Sequence, residues 1–184
     1  MMKPLTLGFL AVSALLAQQS GKAPAWTEGV KVAPVAVGQS PNSSAFGPQV
    51  YFAGQPSEAD LAEYAKLGVK IVVNLRAPGE MEKLGFDEAS VAKTAGMQYI
   101  NVPFSSTLPS DGELAKVYAE LNKAGSEKIL LHCASSNRSG TIWSLYRATE
   151  HGLTADDAIT EGKAAGMKSP VLEKQVREKL TAKP

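Results

Sequence analysis

The stretch Ile129-Leu130-Leu131-His132-Cys133-Ala134-Ser135-Ser136-Asn137-Arg138-Ser139-Gly140 constrains this chain more than any other. Ile129 to Leu131 is a short apolar run after the turn signal Ala124-Gly125-Ser126, which reads as a buried strand. Past the polar loop, Ile142, Leu145, Tyr146 and Thr149 recur at helical spacing until Gly152 stops the helix. A buried strand that runs through a tight loop into a helix belongs to layered α/β architecture. Cys133, the one cysteine of the chain, falls at the junction. A single thiol cannot form an internal disulfide, so the fold must be held by its core.

That junction has chemical potential. Loop amides at a helix N-terminus can curl into a cup that faces an anion, and the positive end of the helix dipole points the same way. The thiolate is the nucleophilic form of cysteine, and a nearby cation favours it. Arg138 supplies the cation, and its planar fork can grip two oxygens of a tetrahedral anion. Ser139 could donate to the sulfur. The competing reading is bland: a free cysteine ending an apolar strand is often a small buried hydrophobe.

His132-Cys133 followed by Arg138-Ser139-Gly140 resembles the signature loop of cysteine-dependent phosphatases of the dual-specificity type. Those enzymes carry five residues between cysteine and arginine and a central glycine. Here there are four, Ala134, Ser135, Ser136 and Asn137, with no glycine among them. A four-residue gap is the length found in rhodanese-type sulfurtransferases and in a bacterial group of phosphatase-like domains associated with beta-lactamase-like hydrolases. The latter group fits best, because Phe52-Ala53-Gly54-Gln55-Pro56-Ser57 and Val72-Val73-Asn74-Leu75-Arg76 also resemble its landmarks. The resemblance implies a mainly parallel sheet flanked by helices, with Cys133 attacking phosphorus while Arg138 and the amides of Ala134, Ser135, Ser136 and Asn137 hold its oxygens. It also implies an aspartate acid after the strand ending near Val102, for which Asp111 is the candidate and Glu80, Glu82 and Asp87 are fallbacks. An acid in the first turn of a helix also stabilises the dipole wherever it occurs, so Asp111 has a purely structural alternative. Arg76 is expected to bind substrate or brace the loop, and His132 to orient it through the backbone.

The rest of the chain organises around this site. Residues 1–20 combine Lys3 with an apolar run to Ala17, too short for a comfortable span and of the length of a secretory signal, though an uncleaved anchor stays open. Export to the periplasm or beyond follows, with no stable membrane span once the signal is removed. Residues 21–49, rich in Ser, Pro, Gly and Ala, read as an extended leader, and residues 50–184 as one domain. Within it, Val50 to Ala53, Val69 to Asn74 and Met97 to Val102 read as strands, with Leu75 to Gly85 a polar loop. Ser57 with Asp60 and Ser110 with Glu113 read as helix capping boxes. Ligands in such sheets bind beyond the carboxyl ends of the strands, where Arg76, the loop after Val102 and Cys133 converge.

A formal net charge of +1 gives no reason to expect nucleic acid as a partner, and two histidines are too few to suggest a metal centre. No cofactor is expected. The expected partner is a phosphorylated protein or small phosphate ester, or a sulfane-sulfur donor if Cys133 carries a persulfide instead. A non-catalytic oxyanion-binding or redox-sensing domain is the third reading, since an exposed reactive thiol would be prone to oxidation.

Overall fold

The computed structural model describes residues 25–182. The secretory signal expected over residues 1–20 lies outside them. In chain order the elements are β1 (Val32–Pro34), β2 (Ser44–Phe46), β3 (Val50–Ala53), α1 (Glu58–Lys66), β4 (Val69–Asn74), α2 (Pro78–Met81), α3 (Glu88–Thr94), β5 (Gln98–Asn101), α4 (Asp111–Leu121), β6 (Lys128–His132), α5 (Asn137–His151), α6 (Ala155–Ala164) and α7 (Pro170–Thr181). The six strands form one sheet in the order β1-β2-β3-β6-β4-β5. The first three pair antiparallel, and β3, β6, β4 and β5 run parallel. The chain is thus α/β, with a mixed, mostly parallel sheet flanked by helices.

Alternation along β6 sorts the two faces. Ile129, Leu131 and Cys133 share a core with Phe46, Phe52, Val73 and the inward faces of α4, α5 and α7. Leu130 belongs to the opposite core, with Leu61 and Tyr64 of α1 and Ala92 of α3. A strand buried on both faces carries a continuous apolar run, which is why β4 and β6 read as interior strands.

Both expected capping boxes form. Ser57 Oγ accepts from Asp60 N while the Asp60 carboxylate accepts from Ser57 N, and Ser110 and Glu113 repeat the exchange at α4.

The expected boundary at residue 50 is corrected. Residues from Ala25 onward belong to the fold, because β1 and β2 extend the sheet and Phe46 is fully buried. Its ring lies 4.9 Å from that of Trp143 and 5.9 Å edge-on from that of Trp26. Composition concealed this: three-residue strands are too short for a readable alternation, and aromatic packing does the anchoring. The expected polar loop from Leu75 to Gly85 is also corrected, since it contains the single-turn helix α2, which has Pro78 at its first position.

Candidate active site

β6 lies between β3 and β4, and its last residue, His132, pairs in register with both Ala53 and Asn74. Cys133 N donates to Ala53 O at 3.3 Å, fixing the point where the strand gives way to the loop. Gly54 packs against the loop's entry: a Cβ there would meet Pro41 Cγ at 2.8 Å and Ala134 O at 3.0 Å. Gln55 N donates to Ala134 O at 3.2 Å, so the segment after β3 braces the first loop residue.

The loop turns at Ser136, which has φ 67°. That left-handed conformation ordinarily favours glycine and holds here because the side chain is tied down. Ser136 Oγ donates to Ala165 O at 2.7 Å. Gly166 packs so closely that a Cβ there would lie 2.6 Å from Ser136 Cβ. Asn137 Oδ1 accepts from the backbone N–H of Lys168 and of Ser169, at 2.6 and 2.9 Å. The side chains of Ser136 and Asn137 thus lock the loop to the α6–α7 connection. An antiparallel bridge pairs Ser135 with Gly54 and engages one loop N–H; the other backbone N–H groups of residues 134–139 donate no hydrogen bond among the described residues. Those donors, at the loop and the first turn of α5, remain for an anion.

Arg138 is buried and held by protein acceptors. Nη1 donates to Phe104 O at 2.7 Å, to Leu75 O at 3.1 Å and to Glu80 Oε2 at 2.7 Å, while Nη2 donates to Glu80 Oε1 at 2.7 Å. None of these bonds uses Nε. Burial works against the guanidinium charge, but Glu80 and the neighbouring Cys133 outweigh it and raise the Arg138 pKa. The Arg138 hydrogen bonds in turn pull the Glu80 carboxyl down to about 2, against a smaller burial effect and with help from the Ala77 N–H and Arg76.

Cys133 is 1% exposed. An open cleft of about 390 Å³ adjoins the loop, lined by Ser105, Ser106, Ser135, Asn137 and Ser169 together with Glu80 and Arg138; Cys133 does not itself line it. Among the described residues Glu80 is the only carboxyl on its walls, and, pulled down to about 2, it is ionised at neutral pH.

The remaining candidates fall elsewhere. The Asp111 carboxylate is 88% exposed and paired with Lys179 of α7, on a different cleft from Arg138. The expectation that Asp111 donates a proton at the Cys133 loop is therefore corrected: its side chain follows the exposed face at the start of α4. Glu82 and Asp87 line a separate cleft beside Phe86 and Tyr99, and Asp87 is the N-cap of α3, accepting from Ala89 N and Ser90 N. Arg76 braces rather than lines the Arg138 cleft: Nη1 donates to Gln55 Oε1 at 2.6 Å, and Nε and Nη2 reach the Glu80 carboxylate and carbonyl. The Ser139 hydroxyl is buried with no hydrogen-bond partner among the described residues, so the expected bond to sulfur is not formed. His132 uses its carbonyl to accept from Leu75 N at 3.0 Å, a bond beside the β4–β6 pairing, and turns its ring toward Glu88 on the opposite face of the sheet. Glu88, and Glu80 as the tether of Arg138, were missed as structural partners because charged residues in polar segments read as solvated. The one available signal was the four-residue spacing of Arg76 and Glu80.

A family model described as the phosphatase-like domain of beta-lactamase hydrolase-like proteins matches residues 43–150. A beta-lactamase hydrolase-like protein of Xylella fastidiosa is 26% identical over 115 residues, 61% of this chain and 26% of the relative, so the match spans about a quarter of that protein. TpbA of P. aeruginosa, solved in complex with pTyr, superposes with a TM-score of 0.64 at 19% identity, covering 84% of this chain and 90% of TpbA. A DUF442 structure from Shewanella putrefaciens gives 0.63 at 20% identity, covering 76% and 91%. At these identities the structural likeness is one of fold.

Proposed function

Because the chain belongs to the family of phosphatase-like domains of beta-lactamase hydrolase-like proteins, we propose that it is a cysteine-dependent hydrolase of phosphate monoesters. The observation that carries this reading is the strand-to-helix loop of residues 134–139, most of whose backbone N–H groups make no hydrogen bond among the described residues, following directly on a buried thiol beside Arg138. Cys133 sulfur attacks phosphorus, the bond from phosphorus to the leaving oxygen breaks, and a cysteinyl phosphate forms. Water then cleaves the sulfur–phosphorus bond and releases inorganic phosphate. The amides and the Nε edge of Arg138 stabilise charge on the oxygens in transit, and removal of one such donor typically costs on the order of 10²–10³ in rate. Glu80 keeps Arg138 in place by holding its other edge. A cleft whose one carboxyl is ionised offers no proton to the leaving oxygen, so activated aryl esters should react far better than alkyl esters.

That missing acid and the four-residue loop favour a second reading, sulfur transfer, in which Cys133 takes a sulfane sulfur from an anionic donor and passes it to a thiol or cyanide. It requires no general acid. One sample assayed on an aryl phosphate and on thiosulfate plus cyanide, beside Cys133→Ser, separates them. Phosphate release that disappears in the variant supports hydrolysis, whereas thiocyanate formation alone rejects it.

A further inference from the structure

Glu88 is 2% exposed, and side chains from, or just beyond, four parallel strands converge on its carboxylate. Gln55 Nε2, after β3, donates to Oε1 at 2.8 Å. Asn74 Nδ2, ending β4, and Tyr99 OH, in β5, donate to Oε2 at 2.7 and 3.1 Å. His132 Nε2, ending β6, stands 3.3 Å from Oε1, close enough for an ion pair though outside strict hydrogen-bond geometry. Burial alone would push this carboxyl up, but the contacts from His132, Gln55 and Tyr99 outweigh it and keep it below its usual range.

A buried carboxylate is a weak device for stability, since apolar replacements of such groups are often neutral or stabilising. What a carboxylate supplies here is direction. Side chains alternate across the sheet, so His132 faces α3 while Cys133 faces α5. A ring held on one face therefore fixes the peptide that presents sulfur on the other. His132 Nδ1 has no hydrogen-bond partner among the described residues, so the Glu88 contact is the polar restraint on the ring.

We propose that Glu88 is a positioning residue that clamps His132 and, through it, the end of β6 from which Cys133 is presented. This rests on Cys133 being the reacting group and extends that reading to a residue that touches no substrate.

The test has two arms. In the first, kcat and KM are measured on whichever substrate the wild type turns over, for Glu88→Gln, His132→Gln and the double variant, with melting curves as a check of folding. The expected result is a fall in kcat of about 10- to 100-fold in each single variant with KM within about threefold. The double variant should be no worse than His132→Gln within about twofold, because Glu88 acts through that ring. Losses that multiply would overturn the proposal. In the second arm, the unmodified full chain is labelled with ¹⁵N-histidine, and His132 is told from His151, the only other histidine, by a His151→Phe control. A hydrogen on Nε2 of His132 supports the clamp; a bare Nε2 overturns it, whether or not Glu88→Gln folds. If the wild type turns over neither an aryl phosphate nor thiosulfate, the enzymatic reading falls, while the nitrogen signals still decide whether Glu88 holds His132.

Discussion

Arg138 meets Glu80 along its Nη1–Nη2 edge, which makes Glu80 both a tether and a source of negative charge beside an anion site. Glu80→Gln should therefore separate two effects. With the charge gone, inorganic phosphate inhibits a few-fold more tightly; with the tether weakened, kcat falls by about tenfold. Unchanged phosphate inhibition would remove Glu80 from the site. Asp111→Asn, by contrast, should leave kcat within about twofold even on alkyl phosphates, because its carboxylate pairs with Lys179 in solvent. At this scale the sequence revealed Cys133 and Arg138, whose chemistry is local to one loop. It concealed Glu80 and Glu88, whose partners Arg138 and His132 lie 58 and 44 residues away and are met only through the sheet.

Two of the elements that matter most to the loop, α5 and α6, cross where neither has a side chain. A Cβ on Gly140 would run into Gly162 O and Met167 N, and one on Gly162 into Ser144 Oγ and Gly140 O. Gly140→Ala should cost about 1–3 kcal/mol and lower the melting temperature by several degrees, with activity lost as α5 is pushed off the Ser136–Gly166 contact. A melt unchanged within a degree would contradict this close crossing. The caps at Ser57 and Ser110 were legible because a capping box is a local code of two residues. The antiparallel extension β1-β2 was not, because its short strands acquire meaning only when Ser44 to Phe46 pair with β3.

Across the whole molecule, several groups refuse protons that an unfolded chain would accept. Burial, with Arg147 adding repulsion, lowers His151 to about 4 from its usual 6.5. Below pH 6.5 the unfolded chain takes up a proton there that the folded chain does not, so stability declines from about pH 6.5 toward 4. Glu80, lowered to about 2, contributes stability that is present above its ordinary value of 4.5 and is lost as pH falls toward 2; Glu88 acts in the same direction. The melting temperature should thus fall in two stages on acidification. His151→Phe should flatten the first stage alone, since both ring nitrogens lack hydrogen-bond partners among the described residues and the ring packs on Tyr146 and Trp26. A first stage that persists in that variant would assign it to other groups. The fold class was legible from the alternation of strands and helices, and the site from one loop, but the chemistry performed there has to be read from the sulfur itself. Cys133 is the only cysteine, so acid-quenched turnover of an aryl phosphate followed by intact mass analysis reports on it without ambiguity. A cysteinyl phosphate, an adduct of about 80 Da that is absent from Cys133→Ser, is the predicted result. No such adduct, with a gain of about 32 Da after thiosulfate instead, would mean that the cradle carries sulfur rather than phosphorus.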